Sequence, residues 1–174
     1  MPRPLAADEL IEALLAAAVA AGRAALDIYR ADFTVAHKAD QSPVTAADHA
    51  SEKIILEHLA RVAPGVPVVA EEAAAAGSIP EVREEFFLVD PLDGTKEFIH
   101  RNGQFTVNIA LIRAGMPAIG VVYAPVDGAL FAGNVAAARA FRCSHAADCA
   151  TCGPRAPMHV RPVPAAGVTA VVSR

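Results

Sequence analysis

The sequence predicts an α+β fold in which two helices pack on a largely antiparallel sheet. Residues 1–62 contain two stretches in which apolar side chains recur every three to four positions, the spacing of an amphipathic helix. Between Phe86 and Phe131, apolar runs alternate with turns rich in glycine and proline, which is typical of an antiparallel meander. Helices followed by consecutive hairpins favour a layered α+β domain.

Composition limits the classes of function that this chain can have. The chain has 174 residues, of which 54% are hydrophobic, so we expect a single domain over residues 1–174 with a buried core. A net charge of −4 argues against a nucleic acid polymer or an anionic membrane surface as partner. The apolar run between Glu12 and Arg23 is too short to span a bilayer. An odd number of cysteines and no export signal predict a cytoplasmic location, free or peripheral on the inner face of the cell membrane.

The helices can be placed from periodicity and capping signals. Apolar residues from Leu10 to Tyr29 predict the first helix. Pro43 and the polar residues before it predict a loop. Thr45 then suits the N-cap of a second helix with Asp48 at the third helical position, and this helix should end before Pro64.

The strands follow as short apolar runs bounded by turn residues, with a loop or short helix over residues 73–85. The predicted strands are Val66–Ala70, Phe86–Val89, Phe105–Ile112, Ala118–Tyr123, Ala129–Phe131 and Val168–Val172.

A short acidic motif follows the strand Phe86–Val89. Asp90 and Asp93 lie three residues apart with the Leu92 carbonyl between them, and Gly94 supports a tight turn. Two such carboxylates repel each other and are costly to desolvate unless a cation lies between them. Mg²⁺ suits this position, because it prefers oxygen ligands and binds through few carboxylates together with substrate phosphate.

The residues after this acidic pair help to choose between two interpretations. An Asx turn with two solvated aspartates would explain a bare D-x-x-D-G pattern. The Thr95 hydroxyl and the Lys96 charge are both useful beside a phosphate, so the metal interpretation is favoured. For Thr45 and Asp48, helix capping alone is an equally good explanation at this level.

The motif Asp90-Pro91-Leu92-Asp93-Gly94-Thr95 resembles the signature of the inositol monophosphatase superfamily of Mg²⁺-dependent, Li⁺-sensitive phosphatases. The continuation K-E-F-I, then R-N-G and F-T-V-N-I-A-L-I, resembles the CysQ-type 3′(2′),5′-bisphosphate nucleotidases of sulfur assimilation. These enzymes remove the 3′-phosphate from adenosine 3′,5′-bisphosphate. The resemblance implies the N-terminal part of the layered α/β sugar-phosphatase fold, with a small phosphorylated nucleotide as substrate and Mg²⁺ as cofactor.

The resemblance also implies a role for individual residues, with Glu72 secondary to its neighbour Glu71. Asp48 and Thr95 would orient and deprotonate the attacking water. The implied metal ligands are Glu71, Asp90, the Leu92 carbonyl and Asp93. The implied substrate contacts come from Glu71, Asp93, Gly94, Thr95 and Lys96.

The resemblance extends from about Leu10 to Arg174 and corresponds to the first part of the family's chain. Relatives continue into a substrate domain with a W-D-x-A motif that supplies a further metal ligand, and this sequence contains no tryptophan. We therefore expect residues 1–174 to lack that domain. This leaves two alternatives open, a non-catalytic metal-binding fragment that needs a partner and an inositol monophosphatase-type phosphatase. It also predicts an exposed sheet edge through which copies could form a homo-oligomer.

The cysteines form a separate pattern near the end of the chain. Cys149 and Cys152 have the C-x-x-C spacing of zinc or redox sites, but no second such pair accompanies them. Together with Cys143 they are interpreted as incidental thiols in an exposed loop, without zinc.

Overall fold

The computed structural model describes residues 5–39, 43–145 and 152–170. The elements in chain order are α1 (Ala7–Arg30), β1 (Val35–His37), β2 (Pro43–Thr45), α2 (Ala46–Val62), β3 (Val68–Ala70), α3 (Glu71–Ala75), β4 (Glu85–Asp93), α4 (Thr95–Ile99), β5 (Thr106–Arg113), β6 (Met116–Ala124), β7 (Ala129–Asn134), β8 (Arg139–Ser144) and β9 (Ala156–Pro157). Within these residues, β3 to β9 form one sheet in sequence order, and β1 and β2 form a separate hairpin. No described helix is long and apolar enough to cross a membrane.

The long helices α1 and α2 pack together and cover one face of the larger sheet. Helix α1 lies against β5, β6 and β7, while α2 lies against β4. Their apolar faces meet side chains such as Phe87, Ile109 and Leu130 in the main core. Among the described strands of this sheet, β3 and β4 are parallel and the other neighbours are antiparallel. The predicted architecture is therefore confirmed.

The start of α2 confirms the predicted capping, but the preceding segment differs from the prediction. Thr45 Oγ1 accepts a hydrogen bond from the Ala47 amide at 3.1 Å, and Asp48 Oδ2 accepts one from the Thr45 amide at 2.7 Å. The loop predicted around Pro43 is instead the start of β2, which pairs with β1. Proline is tolerated there because it is the first residue of a strand in a small two-stranded ribbon.

Two predictions near the end of the chain are wrong. Residues 168–170 form no strand, and residues 171–172 lie outside the described part of the chain. An apolar β-branched run becomes a strand only where it finds a sheet edge and a surface to pack on, and Val168 is instead 84% exposed.

The cysteines also differ from the expectation of incidental thiols. Cys143 is buried on β8 and forms a disulfide with Cys152. Antiparallel pairing of β9 with β8 returns the chain alongside Cys143, a proximity that spacing could not reveal. Cys149 lies outside the described residues.

The opposite face of the sheet exposes apolar side chains. Because side chains alternate along a strand and Phe87 and Val121 enter the core, Leu88 and Val122 point away from the helices. They are 48% and 39% exposed, respectively. Leu88 and Val122 thus give this sheet face exposed apolar surface, and the exposed sheet edge stays a prediction.

Candidate metal and phosphate site

The acidic motif forms the irregular end of β4. The sequence predicted that the strand would end at Val89, but β4 continues to Asp93, and its register with β5 shifts between Asp90 and Asp93. The Leu92 amide donates a hydrogen bond to Asp90 Oδ1 at 3.2 Å, so the local turn of the Asx type is present. This irregularity places both aspartates, and the carbonyl of Leu92 between them, at one end of the sheet.

Gly94 allows the chain to turn directly from β4 into α4. Its φ angle is +93°, and a Cβ atom built there would lie 2.8 Å from the carbonyl oxygen of Gln104. Both the left-handed backbone and the close approach require glycine.

We expect Gly94→Ala to lower the free energy of unfolding by about 1–3 kcal/mol, measured by urea denaturation. Gly65→Ala is the matched control, because Gly65 also has a positive φ of +85° but no atom within 4 Å of the added Cβ. The control should lose less stability than Gly94→Ala. An equal loss in both variants would contradict the role of the Gln104 contact.

Three carboxylates from two elements influence one another here. Glu71 begins α3, while Asp90 and Asp93 lie on β4. Burial, followed by repulsion from Glu71 and Asp93, raises the pKa of Asp90 from its usual 3.8 to about 7. The structure thus brings together the side chains that the sequence predicted as metal ligands.

Lys38 is a contributor to this site that sequence reasoning missed. Its ammonium lies 2.6 Å from Glu71 Oε1 and 2.7 Å from Glu72 Oε1, and its side chain is only 10% exposed. Burial lowers the pKa of Lys38, but hydrogen bonds and attraction to both glutamates raise it by more, so its net pKa is raised. Burial likewise raises the pKa of Glu72, with Lys38 opposing that rise. Lys38 therefore provides positive charge at one side of the acidic cluster.

Glu52 on α2 is a second residue without a sequence-level signal. Its Oε2 accepts a hydrogen bond from the Glu72 amide at 2.7 Å, and its Oε1 accepts one from the Ala73 amide at 3.0 Å. These bonds satisfy free amides in the first turn of α3. Glu52 thereby fixes the short helix that presents Glu71.

Asp48 and Thr95 meet although 47 residues separate them in sequence. Thr95 Oγ1 lies 3.2 Å from Asp48 Oδ1 and 3.3 Å from the Leu92 carbonyl oxygen, so its hydroxyl can donate to either. Asp48 is 1% exposed, and its other oxygen, Oδ2, accepts from the Thr45 amide and hydroxyl. The capping and water-orienting interpretations are therefore compatible, because each uses a different carboxylate oxygen.

The remaining predicted phosphate contact, Lys96, is exposed in the first turn of α4. Among the described residues, it forms no ion pair with the three carboxylates. Lys96 thus lies next to Thr95 in the chain but outside the packed cluster.

Comparison with known proteins identifies the family of this chain. A profile described as the inositol monophosphatase family matches residues 6–164. The chain belongs to the inositol monophosphatase family. The catalytic, metal-binding and substrate-binding residues that the sequence predicted all lie within the matched range.

Individual relatives and one solved structure show which members of the family this chain is similar to. It is 53% identical over 108 residues to the 3′(2′),5′-bisphosphate nucleotidase CysQ of Salmonella typhimurium, covering 61% of this chain and 44% of the relative. Identity to CysQ of Escherichia coli K12 is 50% over 113 residues, covering 64% and 46%. The solved CysQ of Bacteroides thetaiotaomicron aligns with a TM-score of 0.62 and 39% identity, covering 78% and 49%. The chain thus spans about half the length of these relatives.

The side chains at this site suit a hard cation, although they do not enclose one. Within the described residues, no three Asp, Glu, His or Cys side chains stand close enough to hold an ion by themselves. Glu71 is paired with Lys38, whose ammonium lies 2.6 Å from its Oε1. Mg²⁺ takes few protein ligands and keeps waters and phosphate oxygens as the rest. The carboxylates of Asp90 and Asp93 offer oxygen ligands, and burial, followed by repulsion from Glu71 and Asp93, raises the pKa of Asp90.

The raised pKa of Asp90 predicts how stability depends on pH without metal. Because the folded state holds this proton more tightly than the unfolded chain, the contribution of Asp90 to stability is complete below about pH 4 and is lost as pH rises through about 7. In EDTA, we expect the urea midpoint of the wild type, relative to Asp90→Asn, to fall between about pH 4 and about pH 7. A difference that stays constant over this range would contradict the pKa assignment.

Proposed function

We propose that this chain supplies the metal- and phosphate-binding part of a Mg²⁺-dependent phosphatase. Its substrate would be adenosine 3′,5′-bisphosphate, hydrolysed at the 3′-phosphate to AMP and phosphate, in cytoplasmic sulfur assimilation. The observation that carries the proposal is the contact between Asp48 and Thr95 at the end of the strand that bears Asp90 and Asp93. The names of the CysQ relatives support this choice of substrate.

In this proposal, Mg²⁺ would be held by Glu71, Asp90, the Leu92 carbonyl and Asp93. A bound Mg²⁺ supplies a water of lowered pKa and neutralises negative charge on the phosphate. The protein groups contribute binding and orientation. Asp90, which is protonated below about pH 7 in the absence of a cation, would release its proton on metal binding.

Thr95 and Asp48 would handle the proton of the attacking water. When the Thr95 hydroxyl donates to Asp48 Oδ1, its oxygen is free to accept a hydrogen bond from a water molecule. A proton leaving that water can then move through the Thr95 oxygen toward Asp48, whose second oxygen is held by Thr45. This separates the groups that move the proton from those that bind the metal.

The phosphate would be oriented by the start of α4. Backbone amides of Gly94 and Thr95 at the strand-to-helix turn are suited to donate to phosphate oxygens. The exposed side chain of Lys96 would add a positive charge near the phosphate. Glu71 and Asp93 would contact the substrate through the cation.

The direct test is Mg²⁺-dependent phosphate release from adenosine 3′,5′-bisphosphate, with inositol 1-phosphate as the comparison substrate. We expect release from the nucleotide to exceed that from the inositol phosphate, to stop in EDTA and to be inhibited by Li⁺. Faster release from inositol 1-phosphate would favour the inositol phosphatase alternative. Release that persists in EDTA would contradict the metal dependence.

The second candidate function is a non-catalytic fragment that binds metal and requires a partner. It is favoured by the exposure of Leu88 and Val122 on the open sheet face and by the half-length coverage of the relatives. Mg²⁺ binding without phosphate release would support it. In that case association of two copies, measured by light scattering on a sizing column, would identify a homo-oligomer as the form to assay.

A further inference from the structure

Asn108 lies beside the acidic cluster without a role so far. It occupies β5 directly opposite Asp90 in the antiparallel register. Its Nδ2 lies 3.3 Å from Asp93 Oδ2 and donates a hydrogen bond to that carboxylate. One amide side chain is therefore next to both aspartates of the motif.

The other end of the Asn108 amide has no partner. Its Oδ1 is buried, and no described group donates a hydrogen bond to it. Rotating the amide by 180° would not help, because it would place the oxygen against the carboxylate of Asp93. An unpaired buried acceptor of this kind destabilises the folded state. The structure thus maintains a costly unpaired acceptor beside the two aspartates of the motif.

The surroundings decide what kind of group can satisfy this oxygen. With a cation bound, the nearby carboxylates of Asp90 and Asp93 are both ionised acceptors, so neither can donate to this oxygen. Mg²⁺ usually keeps several waters when it binds to proteins, and each of those waters has protons to donate. A water in the hydration shell of the cation supplies the missing donor in a site that otherwise contains acceptors.

We propose that Asn108 is a positioning residue for the Mg²⁺ site, an inference that rests on the proposed function. Through Nδ2 it fixes Asp93 Oδ2, which leaves Oδ1 of Asp93 available to the cation. Through its own Oδ1 it receives a hydrogen bond from a water of the Mg²⁺ hydration shell. Groups that orient metal ligands in this way commonly change metal affinity by about 10- to 100-fold when they are replaced.

The test measures binding of Mg²⁺ alone by calorimetry, together with unfolding in EDTA. Asn108→Leu keeps the branching and the number of heavy atoms of the side chain and removes both polar groups, and Asn108→Ala serves as a second variant. We expect both to raise the Mg²⁺ dissociation constant about tenfold. In EDTA, Asn108→Leu should be at least as stable as the wild type, because it removes the unpaired buried oxygen.

Asn134→Leu is the matched control. Asn134 is a buried asparagine on β7 whose Oδ1 accepts a hydrogen bond from the Ala137 amide at 3.2 Å. Its replacement should lower stability in EDTA and leave Mg²⁺ affinity unchanged. Asn108→Leu, in contrast, should weaken Mg²⁺ binding without loss of stability in EDTA.

The possible failures are distinguishable. Unchanged Mg²⁺ affinity in both Asn108 variants, with a wild type that binds Mg²⁺, would overturn this proposal alone. Loss of stability in EDTA for Asn108→Leu, as large as that of Asn134→Leu, would assign Asn108 a structural role and also overturn it. A wild type that binds no Mg²⁺ would overturn both this inference and the metal dependence of the proposed function.

Discussion

Replacing Asp93 by asparagine is expected to abolish Mg²⁺ binding and to lower Mg²⁺-dependent phosphate release by about a thousandfold, which corresponds to about 4 kcal/mol of transition-state stabilisation. Asp93 is exposed at the end of β4, so the change removes a charge without opening a cavity in the core. The repulsion that raises the pKa of Asp90 comes partly from Asp93, so the variant should also bring that pKa closer to its usual value.

The measurement is a calorimetric Mg²⁺ titration alongside the phosphate-release assay. Asp127→Asn is the matched control, because Asp127 is an exposed aspartate in the turn between β6 and β7. The control should titrate and react as the wild type does. Unchanged titration heat in Asp93→Asn would remove Asp93 from the set of metal ligands.

Replacing Thr95 by valine is expected to reduce phosphate release by about a hundredfold or more, with little change in Mg²⁺ affinity. Valine has a similar shape but lacks the hydroxyl that contacts Asp48 and the Leu92 carbonyl. Thr95→Ser retains the hydroxyl and should recover most of the activity. This rescue distinguishes the chemical role of the hydroxyl from simple packing.

Rates and calorimetric Mg²⁺ titrations are compared for Thr95→Val, Thr95→Ser and Thr34→Val. Thr34 is an exposed threonine before β1, and its replacement by valine should leave both quantities unchanged. Equal activity in Thr95→Val and Thr95→Ser would contradict a proton-handling role for Thr95. A large loss of Mg²⁺ affinity in Thr95→Val would instead assign the residue to the metal site.

Substitution of Asp48 is a less direct test of proton handling, because this carboxylate makes two separate interactions. One oxygen caps α2 through the Thr45 amide, and the other accepts from Thr95. Loss of the cap alone costs about 1 kcal/mol of stability. Activities of Asp48 variants therefore need to be compared at matched fractions of folded protein.

Much of the fold was predictable because the relevant interactions are local. Helical periodicity and the capping pair Thr45 and Asp48 act within a few residues, so they determine α2 without reference to the rest of the chain. The hairpins from β5 to β7 likewise join consecutive strands through short turns, whereas β8 was not predicted. By contrast, residues 168–170 were mispredicted, because a strand depends on a partner that sequence spacing does not reveal.

The sequence by itself determined the two helices, the order of most strands and the acidic motif around Asp90, since each depends on periodicity or on neighbours in the chain. The tertiary structure alone decided which distant groups join that motif. Lys38 reaches Glu71, Glu52 holds the amides of α3, and Asn108 reaches Asp93 only because the sheet register and helix packing bring separated segments together. These side chains are ordinary polar residues in the sequence, and their electrostatic roles follow from burial and distance, which exist only in the folded chain.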